Sequence, residues 1–344
     1  MPRLKRVDCS GPGIRRRRAG KGFAYYDAEG ARITDPETLD RIRSLAIPPA
    51  WVEVWICPHP MGHIQAIGID AKGRKQYRYH HRWRQRRDAE KFDHMLDFAR
   101  ALPKIRHFAG QHLAQEGLTR HRVLACAVRL LDIGFFRVGG EDYVEENQTY
   151  GLATIRRSHV CIRGDLIIFD YKAKSGKRRI QSVADPEVLA VVRELKARRG
   201  GGPELLGWRE GRRWVDVKSG DINAYIKELT GGDFSAKDFR TWNATVFAAV
   251  ALAVSSTMSG SASGRKRAIS RAMSEVAEYL GNTPAVCRSS YVDPRIIDRY
   301  TAGATVLDAL ATLDEEPDLT GGLHTQGAIE EAVLDLLTEG SQPG

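Results

Sequence analysis

The 344-residue chain lacks any apolar run long enough to cross a bilayer. The longest, Val246–Val254, is nine residues, against roughly 20 for a spanning helix. Basic residues near the start (Arg3, Lys5, Arg6, Arg15–Arg18) have no apolar stretch behind them, so no signal peptide is expected and the expected location is cytoplasmic. Cysteine is sparse: Cys9, Cys57, Cys126, Cys161 and Cys287 form no Cys-x-x-Cys pair, which suits a reducing compartment rather than a disulfide scaffold. A Gly-x-x-x-x-Gly-Lys-Ser/Thr loop is missing, which leaves a P-loop nucleotide motor unsupported. The absence of an Asp-x-Asp pair does the same for the simplest paired-carboxylate magnesium site. There is no Gly-x-Ser-x-Gly nucleophile elbow, and Gly260-Ser-Ala-Ser-Gly264 reads as a flexible connector. Cys57-Pro-His59-Pro-Met-Gly-His63 offers metal-type side chains. Pro60 and Gly62 keep its histidines off a single helical face, no fourth ligand is near, and a loop anchored in a β domain fits better. Neither a metal nor a cofactor is expected.

Positive charge is lacking in one place only. Residues 301–344 contain no Lys or Arg and nine acidic residues, so residues 1–300 hold 53 basic against 34 acidic groups, a net +19. A body that basic repels itself unless it meets a polyanion, and nucleic acid is the usual one. The length suggests about two domains.

Four segments follow from the patterning. Residues 1–20, basic and glycine-rich, are expected to be a flexible arm. Residues 21–88 are expected to be a β-rich N-terminal domain. Trp51–Cys57, Ile64–Ile69 and Lys75–Tyr79 alternate as strands, with a turn at Asp70–Gly73. Residues 89–300 read as a larger, mainly helical domain, opening on a helix carried by Phe92, Met95, Leu96 and Ala99. Leu113–Asp132 reads as the next helix, with Gly134 at the position of a left-handed cap. Between His159 and Ile180 the period changes to a three-stranded antiparallel meander with turns at Gly164-Asp165 and Ser175-Gly176. Helices are expected over Pro186–Ala197, Asp221–Leu229, Asn243–Ser255 and Arg265–Leu280. Residues 301–344 form an acidic tail with one amphipathic segment at Ile329, Val333 and Leu336–Leu337. The fold class is α+β.

With metal and nucleotide chemistry unsupported, basic and phenolic groups remain. Breaking a phosphodiester without metal requires fixed cations around the phosphate and a nucleophile that stays covalent. The arginine fork suits the first task and a tyrosine the second. Five positions fit: Arg137 in Phe135-Phe-Arg-Val-Gly-Gly140, Lys174 at the second meander turn, Arg240 in Lys237-Asp-Phe-Arg-Thr-Trp242, Asn282 after Gly281, and Tyr291 nine residues on. Taken singly, each has a plainer role as a helix-end charge, a solvated turn, a cap or a packed ring.

In this order and spacing they resemble the catalytic domain of type IB DNA topoisomerases of the small poxvirus-like bacterial kind, whose active-site logic tyrosine recombinases share. Glu145-Glu-Asn-Gln-Thr-Tyr-Gly-Leu152 and Ala236-Lys-Asp-Phe-Arg-Thr-Trp242 add to the resemblance, which covers roughly residues 20–300. Gln76-Tyr77-Arg78-Tyr79 is similar to a strand that the poxvirus-type enzymes lay in the major groove. The resemblance therefore marks Gln76, Tyr77 and Tyr79, with Tyr143 near the Gly140 loop, as DNA contacts. Asn282 stands where many members have His, Lys237 where recombinases have His, and Gly140 where the poxvirus pattern tends to have Lys. An amide donates a hydrogen bond but carries no charge and shuttles no proton.

The resemblance implies that Tyr291 attacks a backbone phosphate of double-stranded DNA and forms a 3′-phosphotyrosyl link. Arg137 and Arg240 would hold the nonbridging oxygens and Lys174 would protonate the leaving 5′-oxygen. It implies relaxation without ATP or an obligatory metal, by a monomer clamped around the duplex in the bacterial nucleoid, with no membrane involved. A tyrosine recombinase with a C-terminal helix donated in trans, and a non-enzymatic basic nucleic-acid-binding protein, remain the alternatives.

Overall fold

The computed structural model describes residues 3–141, 144, 148–256, 261–315 and 326–339. It divides into two compact units, Met1–Phe92 and Asp93–Gly344.

The first unit is a five-stranded antiparallel sheet in the order β2-β1-β3-β4-β5, with strands β1 Ile14–Ala19, β2 Gly22–Tyr26, β3 Val52–Ile56, β4 Ile64–Ile69 and β5 Lys75–Tyr79. Helix α1, Pro36–Ser44, is capped by the Asp35 carboxylate on the Thr38 amide. Ile42 of α1 packs with Ile14, Val54, Ile56 and Ala66, while Trp55, Cys57 and Ile67 form a second cluster. The expected arm is structured in part. Ile14–Ala19 pairs with both β2 and β3, because Ile14 enters the core and Arg16 turns inward to donate to the Pro48 (3.2 Å) and Trp51 (2.5 Å) carbonyls. A run of four arginines reads as a solvated tail only while the carbonyl partners of Arg16, some thirty residues away, are out of view. The Cys57–His63 loop is organised by Gln65, whose amide donates to the carbonyls of His59 (3.2 Å), Pro60 (3.0 Å) and Gly62 (2.7 Å).

Helix α2, His81–Leu113, contains the division between the units. It starts eleven residues before the expected Phe92. The Arg82–Arg87 charge run is itself helical, with Arg86 and Arg87 paired to Glu90 at 2.9 and 3.3 Å; an exposed turn has no apolar period to show. The next helix, α3, is Arg120–Gly134 rather than Leu113–Asp132: Leu113 ends α2, Gly117 reverses the chain at φ +71°, and the Thr119 hydroxyl caps the Arg122 amide. The left-handed residue is Phe135 (φ +53°), not Gly134. Gly134 is needed because a Cβ there would lie 2.3 Å from the Phe136 ring.

In the second unit the meander is as expected: β6 Val160–Arg163, β7 Leu166–Lys172 and β8 Arg178–Val183, in the order β6-β7-β8. Then come α4 Pro186–Ala197, the hairpin of β9 Gly207–Glu210 and β10 Arg213–Asp216, α5 Ser219–Thr230, α6 Ala236–Ser256 and α7 Ala262–Leu280. Two short helices follow, α8 Pro284–Ser290 and α9 Pro294–Thr301, and then α10 Leu307–Glu315 and α11 Ala328–Thr338. Helix α3 is the centre of the core: Val123 to Val128, Leu130 and Leu131 are all buried. The overall class is α+β: a small β-rich first unit, and a larger helical unit holding the three-stranded antiparallel sheet.

The amphipathic segment in the acidic tail is α11, and it packs rather than trailing in solvent. Ile329, Val333, Leu336 and Leu337 are buried. Glu330 receives Arg106 at 2.5 and 2.9 Å and the Trp242 indole N–H at 2.9 Å. Arg106 also holds Asp132 at 2.8 and 2.9 Å. Burial disfavours the Arg106 charge, but Asp132 and Glu330 more than reverse that, and its pKa ends above the ordinary arginine value.

Candidate active site

Helix α7 ends on Gly281, left-handed at φ +61°, whose amide turns back to Ala277 and Glu278. The last carbonyls of any helix lack intrahelical partners and carry the negative end of its dipole. Here three arginines from three other elements take them. Arg240, on α6, donates from Nη2 to Leu280 O (2.9 Å) and from Nη1 to Phe135 O (2.6 Å). Arg137, just past α3, donates from Nη2 to Gly281 O (3.1 Å) and to Asn282 Oδ1. Arg179, on β8, donates from Nη2 to Tyr279 O and from Nε to Gln181 Oε1 (2.6 Å).

Neutral carbonyls hold these guanidiniums without cancelling them, and among the described residues none of the three pairs with a carboxylate. Arg240 is 5% exposed. Burial, then the Arg137 charge, push its pKa down to about 10, the Arg179 charge adding to this and the Tyr291 phenol opposing it. It is still a cation at neutral pH. Arg179 is likewise lowered by burial and by Arg137. Burial raises Tyr171, which faces all three arginines, and also the buried Cys287 thiol. This concentration of positive charge is what a phosphate site requires.

Tyr291 ends α8, with its amide on Cys287 O (3.0 Å) and its carbonyl receiving the Thr245 hydroxyl (3.3 Å). The Arg240 guanidinium lies 5.4 Å from the centre of the Tyr291 ring. Two donors in this cluster are buried without a partner: Arg240 Nε and Asn282 Nδ2. An unsatisfied buried donor costs about 1–3 kcal/mol, so a pair beside an unpaired cluster of cations marks where a ligand's oxygens belong.

Four of the five residues singled out from the sequence thus come together: Arg137, Arg240, Asn282 and Tyr291. Lys174 does not join them. It is exposed in the turn between β7 and β8, where Ser175 and Gly176 both have positive φ (+67° and +75°), and its ammonium has no partner among the described residues. Arg179 was missed. The usable signal was strand parity: Arg179 pairs with inward-facing Tyr171 and alternates in phase with Gln181 and Val183.

In the first unit, Tyr77 and Tyr79 are 42% and 39% exposed on edge strand β5, so neither is a core residue. Their rings stack 5.9 Å apart. Gln76 lies on the opposite face, donating to Asp70 at 2.9 Å. Tyr143 lies outside the described residues.

Residues 80–309 match the catalytic core of eukaryotic DNA topoisomerase I, and residues 22–70 match the N-terminal domain of bacterial DNA topoisomerase IB. Both models describe DNA topoisomerases, which are isomerases. The DNA topoisomerase 1B of Acanthamoeba polyphaga mimivirus is 32% identical over 294 residues, covering 84% of this chain and 87% of that protein. The DNA topoisomerase 1B of vaccinia virus (strain Western Reserve) is 22% identical over 232 residues, covering 67% and 71%. The chain belongs to the type IB DNA topoisomerase family.

Proposed function

We propose that the protein relaxes supercoiled double-stranded DNA by transient cleavage of one strand through Tyr291. The Tyr291 Oη attacks the phosphorus and loses its proton to solvent. The bond to the 5′-oxygen breaks, its electron pair leaves with that oxygen, and the Lys174 ammonium supplies the proton. The products are a 3′-phosphotyrosyl ester and a free 5′-hydroxyl. The duplex swivels, and the reverse step reseals the strand. Because the ester conserves the bond energy, the cycle requires no ATP.

The observation that carries this reading is the pair of unspent donors, Asn282 Nδ2 and Arg240 Nε, beside Tyr291 and the unpaired guanidiniums. They fit the nonbridging oxygens, whose charge grows in the transition state. Asn282 then acts by hydrogen bonding alone. Lys174 would enter when DNA draws its turn inward. Tyr77, Tyr79 and Gln76 would touch the duplex from the first unit, with Tyr143 a further contact. The working form would be a monomer acting as a clamp in the bacterial cytoplasm. Among the described residues no helix is long and apolar enough to cross a membrane. A recombinase that lends its terminal helix to a neighbour is disfavoured, because α11 is held by Arg106 and Trp242 of its own chain.

The test is relaxation of supercoiled plasmid in EDTA without ATP, followed by a denaturant quench. Relaxation and an adduct on the Tyr291 peptide support the proposal. A requirement for magnesium or ATP, or an adduct on another residue, sinks it.

A further inference from the structure

Lys174 and Asn282 stand on different elements, and one side chain links them. Arg179 lies on the same hairpin as Lys174, with Tyr171 paired to Arg179 and Lys172 to Arg178 below the turn. Its guanidinium leaves the sheet for the end of α7, where Nη2 donates to Tyr279 O. Nη1 fills the space beside Gly281, 2.7 Å from where a Cβ would stand. Gly281 is favoured here by its positive φ, and its missing side chain leaves the room that the Arg179 guanidinium occupies. At its near end Arg179 Nε holds Gln181 Oε1 at 2.6 Å, which also receives the Tyr171 hydroxyl at 3.3 Å. Gln181 Nε2 continues to Gly134 O at the end of α3. The hairpin is thus tied to both helix ends that present Arg137 and Asn282.

We propose that Arg179 is a positioning residue that fastens the Lys174 hairpin to the Gly281–Asn282 corner and keeps the proton donor in register with the groups on the nonbridging oxygens. The inference rests on the function proposed above. Arginine is the residue for the task because its planar fork spans two acceptors on different elements at once, whereas a lysine ammonium is a point charge on a flexible stem.

If Arg179 acts through Lys174, its loss mimics loss of the acid. Single-turnover cleavage of normal DNA by Arg179→Ala should slow by on the order of 10-fold to 100-fold, as a misplacement of about 1 Å can do. DNA affinity, measured in the Tyr291→Phe background, should fall far less than the cleavage rate. Most of the lost rate should return on a substrate whose bridging 5′-oxygen is replaced by sulfur, because a thiolate leaves without a proton. Arg179→Lys should behave like the alanine variant. Amide exchange over residues 172–178 should accelerate in Arg179→Ala, while helix α4 is unchanged. A normal rate, an equal loss on both substrates, a fully active lysine variant or unchanged hairpin exchange overturns the proposal. If the wild-type chain forms no adduct at Tyr291, the functional reading falls, and hairpin exchange still decides whether Arg179 is the strap.

Discussion

Arg137 donates to the side-chain oxygen of Asn282, and that contact settles which way the amide faces. With Oδ1 occupied, Nδ2 is left as the free donor, and it is buried without a hydrogen-bond partner. We predict that Asn282→Ala slows single-turnover cleavage by about 10²-fold, the usual cost of removing one transition-state donor, with DNA affinity preserved. Asn282→His keeps a donor and should retain more activity than the alanine variant. Asn282→Asp should be the worst of the three, because a carboxylate would pair with Arg137 and repel the phosphate. An aspartate variant more active than the alanine variant would show that charge at this corner is unimportant.

Tyr291→Phe should bind DNA as the wild type does and form no denaturant-stable adduct. The ring and its contact with Arg240 remain, and only the nucleophilic oxygen is gone. Lys174→Ala should cleave normal DNA slowly and recover on the 5′-bridging sulfur substrate. Since Lys174 has no contact to lose, its thermal midpoint should match the wild type; a large drop would point to a structural role. Rapid-quench assays and thermal unfolding separate the two.

The sequence spoke clearly where a local rule sufficed. The alternation of Lys75–Tyr79 matched β5 at both ends, the two turns located the meander although its last strand runs on from Ile180 to Val183, and the Gly281 cap fixed the end of α7. It was silent where the partner is distant. Arg16 reads as part of a tail until the Trp51 carbonyl stands beside it, and Arg179 as a strand charge until Tyr279 does. Of the site, side-chain order exposed Arg137, Arg240, Asn282 and Tyr291 together, but not their common anchor. The carbonyls of Tyr279, Leu280 and Gly281 belong to the backbone, so no residue identity announces them.

The turn before β5 should carry a pH dependence of its own. Asp70 accepts the Lys72 and Arg74 amides at 2.9 and 3.0 Å and the Arg74 guanidinium at 2.7 Å. The Arg74 contacts, side chain first, hold its carboxyl down to about 2, against an ordinary 3.8. A carboxyl depressed on folding adds stability above its ordinary pKa and loses it as pH falls through the folded value. The β4–β5 hairpin should therefore loosen between about pH 4 and pH 2, seen as faster amide exchange over residues 70–79. Asp70→Asn should flatten that dependence. If it persists in the variant, another group is responsible.

Glu330 answers what the acidic tail does, at least in part. It is the only tail carboxylate paired with a cation among the described residues, and its partner Arg106 lies under α11. Glu330→Gln keeps the shape and removes the charge, so Arg106 is left with Asp132 alone and the Trp242 N–H keeps a neutral acceptor. Hydrogen bonds to charged groups contribute about 1.5–3 kcal/mol, and the loss of unfolding free energy in urea should fall in that range. The slope of DNA affinity against salt should not change, because a carboxylate already neutralised by Arg106 contributes no field toward the phosphates. If Glu330→Gln instead steepens that slope without loss of stability, the tail is acting as a competitor for DNA rather than as a packed cover on α6.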